Sequence, residues 1–181
     1  MPMDVPFSHP INVRTLPKKG LQVRFASDSD LSKKLAEFAD VLSVDAFETL
    51  TQVYPWKKGG VRVEGELKAT LTQACAITGE PVHVEANDTF QALYVPAGSK
   101  LAQPKRDIDG EIILNPDGDD LPEEFSGDSI DLANIWSEFL LLAIDPYIKK
   151  DGATLREHIG EESPVSLENS PFAVLSSLKK H

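Results

Sequence analysis

From Val61 to Tyr94 the chain alternates. Val61, Val63, Gly65, Leu67, Ala69 and Leu71 take every second position, with Arg62, Glu64, Glu66, Lys68, Thr70 and Thr72 between them. A period of two with one apolar and one polar series is the signature of a strand with one wet face. After "CAITGEP" the alternation resumes, with Val82, Val84, Ala86, Phe90, Ala92 and Tyr94 set against His83, Glu85, Asn87, Thr89 and Gln91. Two such strands joined near Thr78-Gly79 predict an antiparallel hairpin. Both exceed the usual ~3–10 residues, so a bend is expected, with Gly65 the natural place for a bulge.

Other segments follow different periods. Residues 11–25 read as two short strands, "INVRTL" and "LQVRF", separated by Pro17 and Gly20 and paired as a hairpin. In 29–42, Leu31, Leu35, Phe38 and Leu42 fall on one face of a helix, with Lys33, Lys34, Glu37 and Asp40 elsewhere. Residues 45–57 are rich in β-branched and aromatic side chains and read as a strand. In 97–129 the chain is mostly loop, with "EIILNP" as a short edge strand. "SIDLANIWSEFLLLAID" then places Leu132, Ile135, Trp136, Phe139 and Leu140 at helical spacing, with Ser129 or Asp131 as N-cap and Pro146 as a stop. Its second half is apolar nearly all round, which predicts a helix over 131–145 buried across the sheet.

Residues 147–169 lack periodicity and read as a linker. They lead to a short C-terminal helix over 170–181, with Ser170 as N-cap and Pro171 at the first helical position. Its apolar residues are Phe172, Val174, Leu175 and Leu178; Lys179 and Lys180 suit the negative end of the helix dipole. Isolated helices shorter than ~12–15 residues are marginal in water, so this one needs a surface to pack on. That surface is either the domain's own core or a groove on a partner. The expected architecture is α+β: a single domain over 1–146 with a curved, mainly antiparallel β-sheet or half-barrel, two packed helices, and the short C-terminal helix.

Charge changes this picture in one place. The net charge is −11, yet ten of the 29 carboxylates and no cation lie between 107 and 131. The remainder balances at 19 against 18, so no basic patch for gripping phosphates stands out in the linear sequence. The nearest candidate is a local basic surface of Lys57, Lys58, Arg62 and Lys68 around the 57–68 strand. The longest apolar run, "FLLLAI", is far too short to span a membrane, and the start carries no secretory signal pattern. A cytoplasmic protein is expected.

Candidate chemistry is sparse. Cys75 is the single cysteine, and a zinc site wants four ligands, so the expected role is a small buried hydrophobe at a strand end. "DIDGEIILNPDGDD" lacks the ligand spacing of a calcium loop and reads as a solvated acidic loop. The four histidines are scattered, and neither a nucleophile elbow nor a phosphate-binding glycine motif occurs. No catalytic residue, metal, cofactor or small-molecule substrate is expected.

Four features together resemble the YceD family, the bacterial large ribosomal RNA subunit accumulation proteins. "CAITGEPV" is similar to its Cys-x-x-Cys-x-x-Pro hairpin, with Cys75 and Pro81 aligned. "IDLANIWSEFLLLAIDP", including Asp131, is similar to its Ile-Asp-Leu helix. An acidic loop precedes that helix, and "SPFAVLSSLKK" is close to its Pro-Phe-Ala-x-Leu-x-x-Leu-Lys ending. The match spans roughly 61–181. Thr78 stands where many members have a second cysteine, and "YIKKDG" lacks the His and Cys that some carry after the helix, so no zinc or redox role transfers. The resemblance implies a non-enzymatic role in synthesis, processing or stability of large-subunit ribosomal RNA. It points to a ribosome-assembly protein or ribonucleoprotein as partner, with at most weak contact to rRNA. It also favours a partner's groove for the face formed by Pro171, Phe172, Val174, Leu175 and Leu178. The alternative is direct RNA binding through Lys57, Lys58, Arg62 and Lys68.

Overall fold

The alternation over 61–95 becomes the centre of the sheet. In the computed structural model, which describes residues 5–103 and 121–154, the elements are β1 (Pro10–Asn12), β2 (Leu21–Ala26), α1 (Ser29–Ala39), β3 (Ser43–Trp56), β4 (Gly60–Ala74), β5 (Pro81–Pro96), β6 (Glu123–Phe125), β7 (Ser129–Asp131) and α2 (Leu132–Ala143). β4 and β5 pair antiparallel without a break in register, from Val61 opposite Tyr94 to Ala74 opposite Pro81. The sheet order is β2-β3-β4-β5-β6, antiparallel except for the parallel β5–β6 pair, with β1 and β7 forming a separate two-stranded ladder. β2 and β6 are its edges and do not pair with each other. The expected mainly antiparallel α+β sheet is thus open and not closed into a barrel.

One face of the sheet is dry and carries both helices. Val61, Val63, Leu67, Ala69 and Leu71 of β4 join Phe47 and Val53 of β3, Ala86 and Phe90 of β5, Leu35 of α1 and Leu132, Ile135, Trp136 and Leu140 of α2 in one core. The opposite face presents Arg24, Glu48, Glu64, Glu66, Lys68, Asn87 and Gln91, as the polar half of the alternation requires. Trp136 is fully buried and its Nε1–H donates to Thr51 Oγ1 at 2.9 Å. Phe25 stacks on the indole at 4.9 Å between ring centroids, with His9 and Phe7 beyond at 5.2 and 6.4 Å.

Several sequence expectations need correction. The 11–25 segment is not a hairpin. The side chain of Asn12 accepts from the backbone N–H of Arg14 and Thr15, closing a 3-10 turn that ends β1 after three residues. β1 then pairs with β7, and β2 pairs with β3. Gly65 is not a bulge. Its place in the register is regular, and the register shift lies between Val44 and Ala46 of β3. Glycine is needed because a Cβ at 65 would stand 2.4 Å from the Leu50 carbonyl oxygen and 2.8 Å from Phe90 Cζ.

The first helix stops at Ala39. Asp40 enters the left-handed region at φ 54°, and Val41 N–H returns to the Ala36 carbonyl, so Leu42 leaves the apolar face and is exposed. α2 ends at Ala143, before Pro146, and Leu142 on its second half is exposed rather than buried. A parallel edge strand, β6, forms from "EEF". The expected strand "EIILNP", the C-terminal helix and the linker beyond 154 lie outside the described residues.

The close approach at Gly65 has a measurable cost. Gly65→Ala is expected to destabilise the fold by about 1–3 kcal/mol through overpacking, read as a lower urea midpoint with an unchanged slope. An unaltered midpoint would mean that the backbone of β3 gives way freely.

Candidate functional site

The family-like positions Cys75, Thr78 and Pro81 lie in the turn between β4 and β5. The Gly79 N–H donates to the Cys75 carbonyl at 2.9 Å, and the Cys75 N–H to the Glu80 carbonyl at 2.8 Å. Gly79 takes φ +71°, the conformation that a tight return of the chain requires there. Thr78 holds the turn with its hydroxyl, accepting from Glu80 N–H at 3.2 Å. Pro81 opens β5, opposite Ala74.

The chain after α2 closes over this turn. Ala76 N–H donates to the Ile148 carbonyl at 2.8 Å, Lys150 N–H to Cys75 Sγ at 3.3 Å, and Lys150 Nζ pairs with Glu80 Oε2 at 2.8 Å. Gln73 Nε2 donates to the Asp145 carbonyl at 3.0 Å. Residues 145–150, which the sequence places around the start of a linker, thus form a latch. Cys75 is buried, as expected of a strand-end thiol, but its surroundings are polar. The N–H groups of Lys150 and Thr78 point at the sulfur and draw its pKa from 9.0 down to about 6. Glu80, hydrogen-bonded to the Lys150 ammonium, pushes that group up. Among the described residues no group of three or more His, Cys, Asp or Glu gathers in a metal-binding arrangement.

Asp131 sits at the other end of α2. One carboxylate oxygen accepts from the N–H of Ala133 at 3.0 Å, capping the helix, and from the N–H of His9 at 2.7 Å; the other accepts from Ser8 Oγ at 2.6 Å. The choice between Ser129 and Asp131 as N-cap falls to Asp131. Of the acidic stretch, residues 121–131 are described. Asp128 pairs with Arg14 at 2.7 Å and Glu124 accepts from Gly98 N–H. Burial, reinforced by Glu138, raises the pKa of Glu123; burial and then Glu123 and Glu138 raise that of Tyr94.

The four candidate RNA contacts are spread out. Lys57 Nζ lies 4.9 Å from the Trp56 ring centroid and Lys58 adjoins it at the β3–β4 turn. Arg62 is engaged by Glu64 at 2.8 Å and Gln91 at 2.9 Å. Lys68 stands further along β4, ~20 Å from Arg62, in register with Glu48 and Asn87. Pro171, Phe172, Val174, Leu175 and Leu178 lie outside the described residues. The latch residues Ile148 and Lys150 escaped sequence reasoning, because a contact to a residue about seventy positions away leaves no local period.

A family model described as "Large ribosomal RNA subunit accumulation protein YceD" matches residues 63–179, more than half of the chain. No curated protein and no solved structure matches it.

The Cys75 thiolate links stability to pH. Its folded pKa of about 6 lies below the ordinary 9.0, so folding favours proton release. The contribution is fully present above pH 9 and is lost as pH falls towards 6. The stability difference between the native chain and Cys75→Ser should therefore widen as pH rises through that window. Parallel curves in chemical denaturation would remove the thiolate from the account.

Proposed function

We propose that this chain, which belongs to the YceD family of large ribosomal RNA subunit accumulation proteins, acts as a non-enzymatic accessory factor in the synthesis, processing or stability of large-subunit rRNA. It works in the bacterial cytoplasm through a protein or ribonucleoprotein partner. The single observation that carries this reading is the family match over residues 63–179; beside it, some of the described cations are already paired, Arg62 with Glu64, Lys150 with Glu80 and Arg14 with Asp128. Phosphate binding draws its free energy from neutralising charge and releasing counterions. A cation already matched by a carboxylate offers little of either.

The capturing element is the 170–181 segment. Pro171 and Phe172 open it, and Val174, Leu175 and Leu178 continue an apolar face of the kind that an amphipathic helix lays into a partner's groove. The order "SPFAVLSSLKK" lies mostly within the family match, which ends at residue 179.

A second reading has one observation in its favour. At the β3–β4 turn, Lys57 over Trp56 with Lys58 beside it combines a ring and two cations, the elements of a stacking and phosphate contact. There, a weak RNA contact would add to partner binding.

Truncation after Ser163 is expected to leave the unfolding midpoint nearly unchanged while abolishing recovery of the ribosome-assembly partner from lysate. Phe172→Ala in the full chain should weaken capture by more than about tenfold, as for an interface hot spot. Undiminished capture by either protein would overturn the assignment. Binding to bare rRNA fragments should be weak and fall steeply with salt. Lys57→Ala with Lys58→Ala should flatten that slope by about one for each phosphate that is no longer neutralised. A tight complex at physiological salt would promote direct RNA binding over the adaptor role.

A further inference from the structure

Three of the large apolar side chains left in water belong to segments that approach one another at one end of the sheet. Leu42 is 58% exposed, Leu142 67% and Tyr147 75%. A chain of hydrogen bonds links these segments. Leu42 N–H donates to the Thr72 carbonyl at 2.9 Å. The next residue of β4, Gln73, donates through its side chain to the Asp145 carbonyl, and Asp145 Oδ1 accepts from Tyr147 N–H at 2.8 Å. Leu142 lies in the last turn of α2, just before Asp145. Isolated exposed leucines are ordinary, but exposed apolar residues on three adjoining segments ask for a cover.

The position of the chain's last described residues says what covers them. Lys150 is fixed to the Cys75 turn at this same end, and the described residues stop at Thr154. The stretch 155–169 spans ~50 Å if extended and ~20 Å as a flexible coil, ample to return to the patch. The segment it leads to carries Phe172, Leu175 and Leu178 on one face and ends in Lys179 and Lys180. Beside Leu42, a groove of about 630 Å³ is lined by Glu37, Asp40 and Asp45, with Lys33 its one lysine. The charge is complementary to that ending.

We infer that residues 170–181 of the same chain cover the Leu42, Leu142 and Tyr147 surface, with Lys179 and Lys180 toward Glu37, Asp40 and Asp45, and that the partner captures the segment by displacing it. The second clause rests on the function proposed above; the docking does not. Tethering supplies an effective concentration in the millimolar range, so a contact too weak to form between separate molecules is populated within one. Such an arrangement keeps the apolar face out of water when no partner is present.

The test is hydrogen exchange on the full chain without any partner. In Phe172→Glu with Leu175→Glu, and independently in Leu142→Glu with Tyr147→Glu, amides of 41–45 and 139–145 should exchange about tenfold faster than in the native chain, with the centre of β4 unchanged. All four positions are exposed or outside the described core, so both variants should fold. Equal exchange in native and tail variants would overturn the docking. Protection that grows with protein concentration would overturn it in favour of a second copy as the occupant. Because no partner is present, the outcome is independent of the capture assay. Capture then tests displacement separately: the Leu142→Glu, Tyr147→Glu chain should bind the partner more tightly than the native chain, and weaker binding would reject the competition.

Discussion

The indole N–H of Trp136 must find an acceptor in a place that water does not reach, and Thr51 Oγ1 on β3 is the one it finds. A buried donor left unpaired costs about 1–3 kcal/mol, whereas the made bond contributes about 1, so the asymmetry fixes how α2 is rotated on the sheet. Everything at the two ends of α2 depends on that rotation. At its start, Asp131 is held where it can cap the helix and pin His9 and Ser8, which seats β1 against β7 and lays Phe7 and His9 beside the indole. At its finish, Asp145 meets Gln73 and the chain runs on to the Cys75 turn.

The positions that carry the family likeness are therefore joints. Asp131 fastens one end of the buried helix, and Cys75, Thr78 and Pro81 shape the turn that receives the other. The Cys75 sulfur, approached by the backbone N–H groups of Thr78 and Lys150, lies at the centre of that second joint, with the Lys150–Glu80 pair outside it. The Thr78 hydroxyl accepts from Glu80 N–H and so holds the turn closed. The pair itself is exposed and worth little alone; its contribution is to hold 148–150 in place beside the backbone bonds.

Charge placement has the same local logic. On the open face of the sheet, Lys68 faces Glu48 across the strands, while Arg62 meets Glu64 on its own strand and Gln91 diagonally on β5. That arrangement solubilises a sheet face without making it an anion trap.

Periodicity along the chain was enough to identify the β4–β5 hairpin, β3, both helices, Asp131 as one of two candidate caps and Cys75 as a buried strand-end thiol. Each of these is decided by residues within a turn or two of one another. What the pattern left open was the partner of each apolar face. It read 11–25 as a hairpin because the two strands are neighbours in sequence, whereas β1 is claimed by β7, more than a hundred residues away, through Asp131. It read Gly65 as a bulge because it saw the missing side chain and not the Phe90 ring and Leu50 carbonyl that exclude one. It counted Leu42 as core because a helical period continues on paper past the left-handed Asp40, and Leu142 because an all-apolar second half hides that this residue stands off the face of Leu132, Ile135, Trp136 and Leu140. Local sequence sets which side of an element is apolar. Only the assembled structure decides whether anything lies there to cover it, because burial is a property of two surfaces and the chain codes each of them separately.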